Sequence, residues 1–207
     1  MNTMKNEQMP PAILGITGIA GPIIAISFIL IDVGVSPWFL WSRNALSDLG
    51  VHQYGYLFNS GLIVEGILNV FFVISLKRIG ITRYVQAMMI ASGLSLAMVG
   101  VFNEHFGYIH LLFALIYFIL FPVSIIIASA SATLPGSLRF YGIAGSATAI
   151  AVIIVGIGFV FHFVTIKNVG LAVPEFIEAV ILALWSIFAG LVVYGTDKNK
   201  VSNRSVS

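Results

Sequence analysis

The chain has 207 residues, of which 59% are hydrophobic and only 9% are charged. A soluble domain carries about 25% charged residues, because its surface must face water. The composition therefore excludes a soluble globular protein and predicts a chain surrounded by lipid. The net charge of +2 and the scattered basic residues argue against a nucleic-acid partner. The absence of cysteine excludes disulfides, thiolate nucleophiles and cysteine-ligated metals.

Six apolar runs follow one another along the chain, each long enough to cross a bilayer, since a spanning helix needs roughly 20 residues. Their connections are short, so we expect an all-α, integral membrane six-helix bundle over residues 12–195. Residues 1–11 and 196–207 are polar and are predicted to form tails. The predicted spans are Ala12–Val33, Gly55–Leu76, Val85–Phe102, Tyr108–Ser131, Leu138–Val164 and Pro174–Gly195.

The distribution of Lys and Arg predicts the orientation of these spans. An even number of spans places both termini on one side, and eight of the ten basic residues fall on that side. Arg43 and Lys167 fall on the other. Because cytoplasmic segments carry the excess of Lys and Arg, we expect a cell-membrane protein whose N-terminal and C-terminal tails are cytoplasmic.

The longest connection, residues 34–54, is predicted to contain a short outer amphipathic helix over Pro37–Leu49. Gly50 suits the position after its last residue. Trp38 and Trp41 lie at helical spacing, which is typical of a helix in the headgroup layer. We expect this helix to cover the outer end of the bundle.

Most titratable side chains fall at or near the outer ends of the predicted spans or in outer connections. Glu65 is different: it lies ten residues into the second span, where an unpaired carboxylate costs several kcal/mol. It must face the interior of the bundle, with Asn69 one turn later as its nearest candidate partner. Two interpretations stay open, a proton-accepting or ligand-orienting carboxylate and a neutral acid bonded across helices for packing. The outer residues are Asp32, Asp48, His52, Glu104, His105, His110, His162 and Glu175.

The fourth span carries polar side chains every seven residues, at His110, Tyr117, Ser124 and Ser131. This spacing places them on one face of an otherwise apolar helix. The stripe is explained by hydrogen-bonded helix packing or by a pocket wall in which His110 is the reactive member. Together with Glu65 and the outer helix, it predicts a polar pocket that opens to the outer leaflet.

Two stretches of sequence carry a family resemblance: S-R-N-A-L-S-D-L-G at Ser42–Gly50 and G-V-F-N-E-H-F-G-Y-I-H at Gly100–His110. On these motifs the chain resembles the membrane family known as domain of unknown function 998. It is more distantly similar to the Frag1/DRAM/Sfk1 group of eukaryotic membrane proteins. The resemblance implies a six-helix multi-pass protein with an outer Ser-Asp-Leu-Gly segment, and it implies no activity.

Two functions are open at this point. The first is the binding or modification of a lipid or other amphiphile in the outward-opening pocket. The second is a non-enzymatic accessory subunit that packs against protein partners in a larger membrane complex. The residues predicted to line the pocket are Ser47, Asp48, Glu65, Glu104, His110 and Glu175.

Whether the protein is an enzyme is left open by the sequence. In a hydrolytic reaction His110 would be the general base or a metal ligand, and Asp48 or Glu104 would orient it. The sequence contains neither H-E-x-x-H nor H-x-x-x-H, so we predict no metal site. No cofactor follows from the sequence.

Overall fold

A computed structural model gives the fold of residues 11–130 and 133–204. These residues form six long α-helices and four short 3-10 helices, and none of them lies in a β-strand. The all-α, six-helix architecture is therefore confirmed. The long helices are α1 (Thr17–Val35), α2 (Gly55–Ser75), α3 (Arg83–Val101), α4 (Tyr108–Ser129), α5 (Gly136–Val160) and α6 (Ala172–Arg204).

Each long helix coincides with one predicted span, and all six are long and apolar enough to cross a membrane. A 3-10 turn over Ala12–Ile16 leads into α1, so the first span begins where the sequence predicts. Large apolar side chains remain on the outside of the helices, where Phe140 is 76% exposed and Ile154 is 63% exposed. Such a surface suits lipid rather than water. The protein is a multi-pass membrane protein.

The largest differences from the predicted boundaries lie at the ends of α5 and α6. Helix α5 ends at Val160 rather than Val164, and His162 then adopts a left-handed φ of 59° that a helix cannot continue through. Helix α6 continues past Gly195 to Arg204, through residues predicted to be a tail. Ser131, the last member of the polar stripe, and residues 1–10 of the N-terminal tail fall outside the described residues.

Consecutive helices pack against one another, and α6 returns to contact α1. Helices α4 and α6 make few direct contacts, which leaves space between them. The connections form two opposite faces of the bundle. The lid face contains residues 36–54, 102–107 and 161–171, and the terminal face contains residues 76–82, 130 and 133–135.

The predicted outer helix over Pro37–Leu49 is wrong in type and extent. This part of the chain forms turns at residues 37–38 and 41–43, followed by a 3-10 helix over Ser47–Val51. We call residues 36–54 the lid, because they cover the lid-face end of the bundle. The lid is therefore an irregular segment with one short helical turn.

Side-chain hydrogen bonds explain why the lid is not an α-helix. Asn44 Oδ1 accepts a hydrogen bond from Leu40 N at 2.9 Å, and Asp48 Oδ2 accepts one from Ala45 N at 3.1 Å. Asn and Asp side chains that bond nearby backbone amides compete with the helical pattern. The Asn44 carbonyl is also occupied, since it accepts from Ala172 N at 2.8 Å. These bonds fix a compact loop where the apolar spacing alone favours a helix.

Helices α2 and α3 approach closely at Gly66. A Cβ atom at this position would lie 2.5 Å from the Gly93 carbonyl oxygen and 2.6 Å from the Ala97 backbone nitrogen. Both are backbone atoms, so neither can move aside without shifting α3. Close contact through small residues is how helices pack tightly in lipid.

We predict that Gly66→Ala lowers the thermal unfolding midpoint, because overpacking costs about 1–3 kcal/mol. Gly195→Ala is the control, since a Cβ there meets nothing within 4 Å. Circular dichroism of the detergent-solubilised variants measures both midpoints. Equal midpoints would mean that α2 and α3 do not touch at Gly66.

Candidate functional site

The lid is tied to the start of α6 by backbone hydrogen bonds. Gly170 N donates to Trp41 O at 3.0 Å, in addition to the bond that joins Ala172 to Asn44. The Trp41 ring packs edge-on against Phe176 of α6, with the ring centroids 5.3 Å apart. These contacts hold the lid over the lid-face end of α6.

Two cavities meet beneath the lid. The interior cavity has a volume of about 60 Å³ and lies among α1, α2, α3, α4 and α6. The lateral cleft has a volume of about 280 Å³ and lies between the lid-face ends of α4 and α5. The two spaces adjoin and share five lining residues, which are Ser47, His110, Ala114, Phe118 and Glu175.

The lateral cleft is apolar along most of its length and polar at one end. The polar end lies under the lid and is formed by Ser47, Glu104, His110 and Glu175. Aliphatic and aromatic side chains of α4, α5 and the α5–α6 connection line the rest, among them Leu111, Leu115, Ile153, Ile157, Val160 and Leu171. An elongated apolar molecule with a polar end matches this distribution.

Glu175 connects the lid to both cavities. Its Oε2 accepts a hydrogen bond from Leu46 N at 2.6 Å, which fixes the carboxyl group under the lid. No hydrogen bond to its Oε1 is found within the described part of the chain. This carboxyl group therefore keeps an acceptor available for a guest.

His110 is only 8% exposed and lines both cavities. Its Nδ1 lies 2.8 Å from the Phe102 carbonyl oxygen. Because a carbonyl only accepts, Nδ1 carries the hydrogen and Nε2 of the neutral ring has a free lone pair. The expectation that Asp48 or Glu104 orients His110 is corrected, since the Phe102 backbone does so. His110 is thus a fixed hydrogen-bond acceptor in the wall of the pocket.

Asp48 lines neither cavity, but its carboxyl group lies beside that of Glu104. Asn44 Nδ2 donates to Asp48 Oδ2 at 2.7 Å, which holds the Asp48 side chain in place. Burial, followed by the nearby Asp48, raises the pKa of the Glu104 carboxyl to about 7. Glu104 Oε2 is buried and has no partner among the described residues. The polar end of the cleft thus contains a carboxyl group that titrates near neutral pH.

We predict that protein stability contains a pH-dependent part set by Glu104. Its pKa is about 7 in the folded protein against an ordinary value of 4.5, so the folded state binds the proton more tightly. Stability is then lost as the pH rises from about 4.5 to about 7. Thermal midpoints measured across this range should fall less steeply for Glu104→Gln and for Asp48→Asn than for the unchanged protein. Parallel pH profiles for all three proteins would contradict the raised pKa.

The structure brings the predicted pocket residues together. Five of the six, Ser47, Glu65, Glu104, His110 and Glu175, line the two cavities, and Asp48 lies beside Glu104. The three other histidines are exposed on the lid face and line neither cavity. Within the described residues, no group of three or more His, Asp or Glu side chains is placed to hold a metal ion.

The structure does not pair Glu65 with Asn69, the partner expected from the sequence. Within the described chain no hydrogen bond joins Glu65 to Asn69, and Asn69 Oδ1 instead lies against Gly93 of α3 without a partner. Glu65 lines the interior cavity and packs beside Gly21 of α1. The carboxyl group therefore faces the cavity and not a neighbouring polar side chain.

Glu178 is not among the pocket residues predicted from the sequence. Glu178 is fully buried, and neither carboxyl oxygen has a hydrogen-bond partner among the described residues. It follows Glu175 by three residues, which places both on one face of α6. That three-residue spacing is the sequence feature from which Glu178 could have been placed on the inward face of α6 with Glu175.

One family matches the chain over residues 19–192, and its description is a protein of unknown function (DUF998). The chain belongs to this family. The DUF998 match covers all six spans in whole or in part, so the whole bundle is the family's unit. No curated protein matches the chain, and no solved structure matches it.

Proposed function

We propose that this DUF998 protein binds an amphiphile, such as a membrane lipid, with its polar head under the lid and its apolar chain in the lateral cleft. The observation that carries the proposal is the set of polar residues that the two adjoining cavities share. An apolar cleft between α4 and α5 ends at Ser47, His110 and Glu175, which also line the interior cavity. A mostly apolar pocket with a few convergent polar groups is typical of a small-molecule site.

The direction of the opening supports a guest that comes from the bilayer. The lid covers the end of the bundle, whereas the cleft lies between two helices whose outer surfaces face lipid. Leu112 on α4 and Ile154 on α5, beside the cleft, are 55% and 63% exposed. A lipid tail can therefore enter sideways without leaving hydrocarbon.

Binding, rather than chemical modification, is the function that we propose. A hydrolytic step would use Nε2 of His110 as the base that activates a nucleophile. Nε2 is free to accept a proton, but no hydrogen bond within the described residues joins it to a nucleophile. The geometry supports recognition of a polar head group but not a hydrolytic step.

A side chain that fills the cleft should prevent binding. A Cβ added at Gly156 would meet Leu171, Ile153 and Pro174 at 3.5–4.0 Å, which are ordinary contacts. We predict that Gly156→Leu reduces the amphiphile that co-purifies by about tenfold or more, because the added side chain occupies the cleft. Native mass spectrometry with lipid analysis of the purified protein measures this loss.

Gly195→Leu is the matched control, because its side chain would point into open space outside both cavities. It should retain the bound amphiphile, and both variants should keep the thermal midpoint of the unchanged protein. Two results would refute amphiphile binding: equal retention by both variants, or a stoichiometric second polypeptide with no bound amphiphile. The second result would support the accessory-subunit function.

We further propose that the lid face is exoplasmic and that the protein resides in the cell membrane. Eight of the ten Lys and Arg residues fall on the side of the termini, which favours a cytoplasmic position for that side. The pocket would then open to the outer leaflet.

The orientation can be tested with single cysteines, because the chain has none of its own. Gln53 is exposed on the lid face and Ser137 is exposed near the terminal face. A membrane-impermeant maleimide applied to intact cells should label Gln53→Cys, and should label Ser137→Cys only after permeabilisation. The reverse pattern would place the lid in the cytoplasm.

A further inference from the structure

The walls of the interior cavity are rich in hydrogen-bond acceptors and contain almost no donors. Glu65 lines the cavity without a hydrogen bond to any described residue, and Glu175 has one oxygen available. His110 adds the lone pair of Nε2, because its Nδ1 is held by the Phe102 carbonyl. The hydroxyls of Ser47 and Tyr117 are the side-chain donors in the lining. A guest that donates several hydrogen bonds would satisfy this wall.

The carboxyl groups are arranged at increasing depth below the lid face. From the helix rise of 1.5 Å per residue, Glu175 lies roughly 5 Å below the start of α6, and Glu178 roughly 9 Å below it. Glu65 lies roughly 15 Å below the start of α2, near the middle of a bilayer core about 30 Å thick. The acidic side chains therefore extend from the polar end of the cleft to the middle of the membrane.

Glu178 is the member of this series that most needs a partner. It lies next to the cavity-lining residue Ala179 of α6 but does not itself line the interior cavity. Its side chain is 0% exposed, and both carboxyl oxygens lack a partner among the described residues. A buried carboxyl group without a partner loses the interactions that it had with water.

No Lys or Arg of the described lining supplies a counter-charge to these groups. Among the described residues that line the interior cavity and the lateral cleft, none is Lys or Arg. Two carboxyl groups, those of Glu65 and Glu175, thus line this small apolar cavity without a Lys or Arg in its lining, although hydrocarbon strongly disfavours unpaired charge. The aromatic rings of Phe58, Tyr117 and Phe118 complete the lining, and ring faces attract cations.

We propose that the amphiphile carries a positively charged amine, and that the interior cavity binds this ammonium group between Glu65 and Glu175. This inference rests on the proposed function, since it identifies the head group of the same guest. An ammonium group donates three hydrogen bonds and accepts none, which matches a wall made of acceptors. The interior cavity, of about 60 Å³, holds one ammonium group with a few waters. The apolar chain of the amine lies in the lateral cleft.

Three probes with one chain length separate the charge of the head group from the apolar chain. Dodecylamine is cationic at neutral pH, dodecanol is neutral and dodecanoate is anionic. Native mass spectrometry of the full-length protein in a non-ionic detergent measures the binding of each probe. We expect dodecylamine to bind about tenfold or more tightly than dodecanol, and dodecanoate to bind more weakly than both.

Single substitutions show which carboxyl groups produce the preference for the cationic probe. Glu175→Gln and Glu65→Gln should each reduce the advantage of dodecylamine over dodecanol severalfold and leave dodecanol binding unchanged. Asp32→Asn is the control, since Asp32 is also buried but bonds Ser36 at 3.1 Å and lines neither cavity. It should keep the full preference. The comparison of the three probes needs only the unchanged protein, so a variant that fails to fold does not remove the test.

The failure of this inference differs from the failure of the proposed function. Equal binding of dodecylamine and dodecanol would overturn the cationic head group while supporting an amphiphile site. Binding of none of the three probes would overturn both. Displacement of dodecylamine by an equal concentration of ethylamine or sodium ion would show that the site takes a cation without a chain, which would also overturn the proposal.

Discussion

Because lipid surrounds the bundle, the polar side chains of the spans must face the interior. A polar group in hydrocarbon must find a partner or face a water-filled space. The polar stripe of α4 shows both outcomes. Ser124 donates to the Phe121 carbonyl of its own helix at 2.7 Å, whereas His110 and Tyr117 face the interior cavity. At Ser124 the stripe is satisfied within the helix, and at His110 and Tyr117 it forms the wall of a pocket.

The shape of the pocket depends on the lid, and the lid depends on side chains that bond nearby backbone. Asn44 uses all of its polar groups: its carbonyl accepts from α6, its Oδ1 accepts from Leu40, and its Nδ2 donates to Asp48. Asp48 in turn lies beside Glu104. The connection between α3 and α4 and the start of α6 are therefore joined through one loop. This arrangement positions Glu175 and Glu104 at the polar end of the cleft.

The fold could be predicted because each membrane-spanning helix requires a long apolar run, and the length of such a run can be read directly from the sequence. The grouping of Ser47, Glu65, His110 and Glu175 followed from topology, since each lies on the lid-face half of its span or in the lid. The lid could not be predicted, because the bonds of Asn44 outweigh the helical spacing of the tryptophans. Two contacts depend on long-range packing that residue spacing does not reveal: the Asp48 carboxyl group beside that of Glu104, and the hydrogen bond from His110 to the Phe102 carbonyl. The unpaired state of Glu178 likewise appears only when all neighbouring helices are in place.

The interior cavity ends within the membrane and does not continue to the terminal face. Phe72 lies seven residues after Glu65 on α2, roughly 10 Å deeper in the bundle. It is fully buried and meets the Trp185 ring edge-on, with the centroids 6.4 Å apart. Phe121 and Ile125 of α4 lie farther from the lid face than Tyr117 and are equally buried. A transporter needs a site that opens alternately to both sides, whereas close-packed aromatic rings here seal one end. Within the described residues, the carboxyl groups that line the two cavities thus face the lid side of the bundle and the lateral cleft, and this geometry suits a binding protein of the leaflet that it faces.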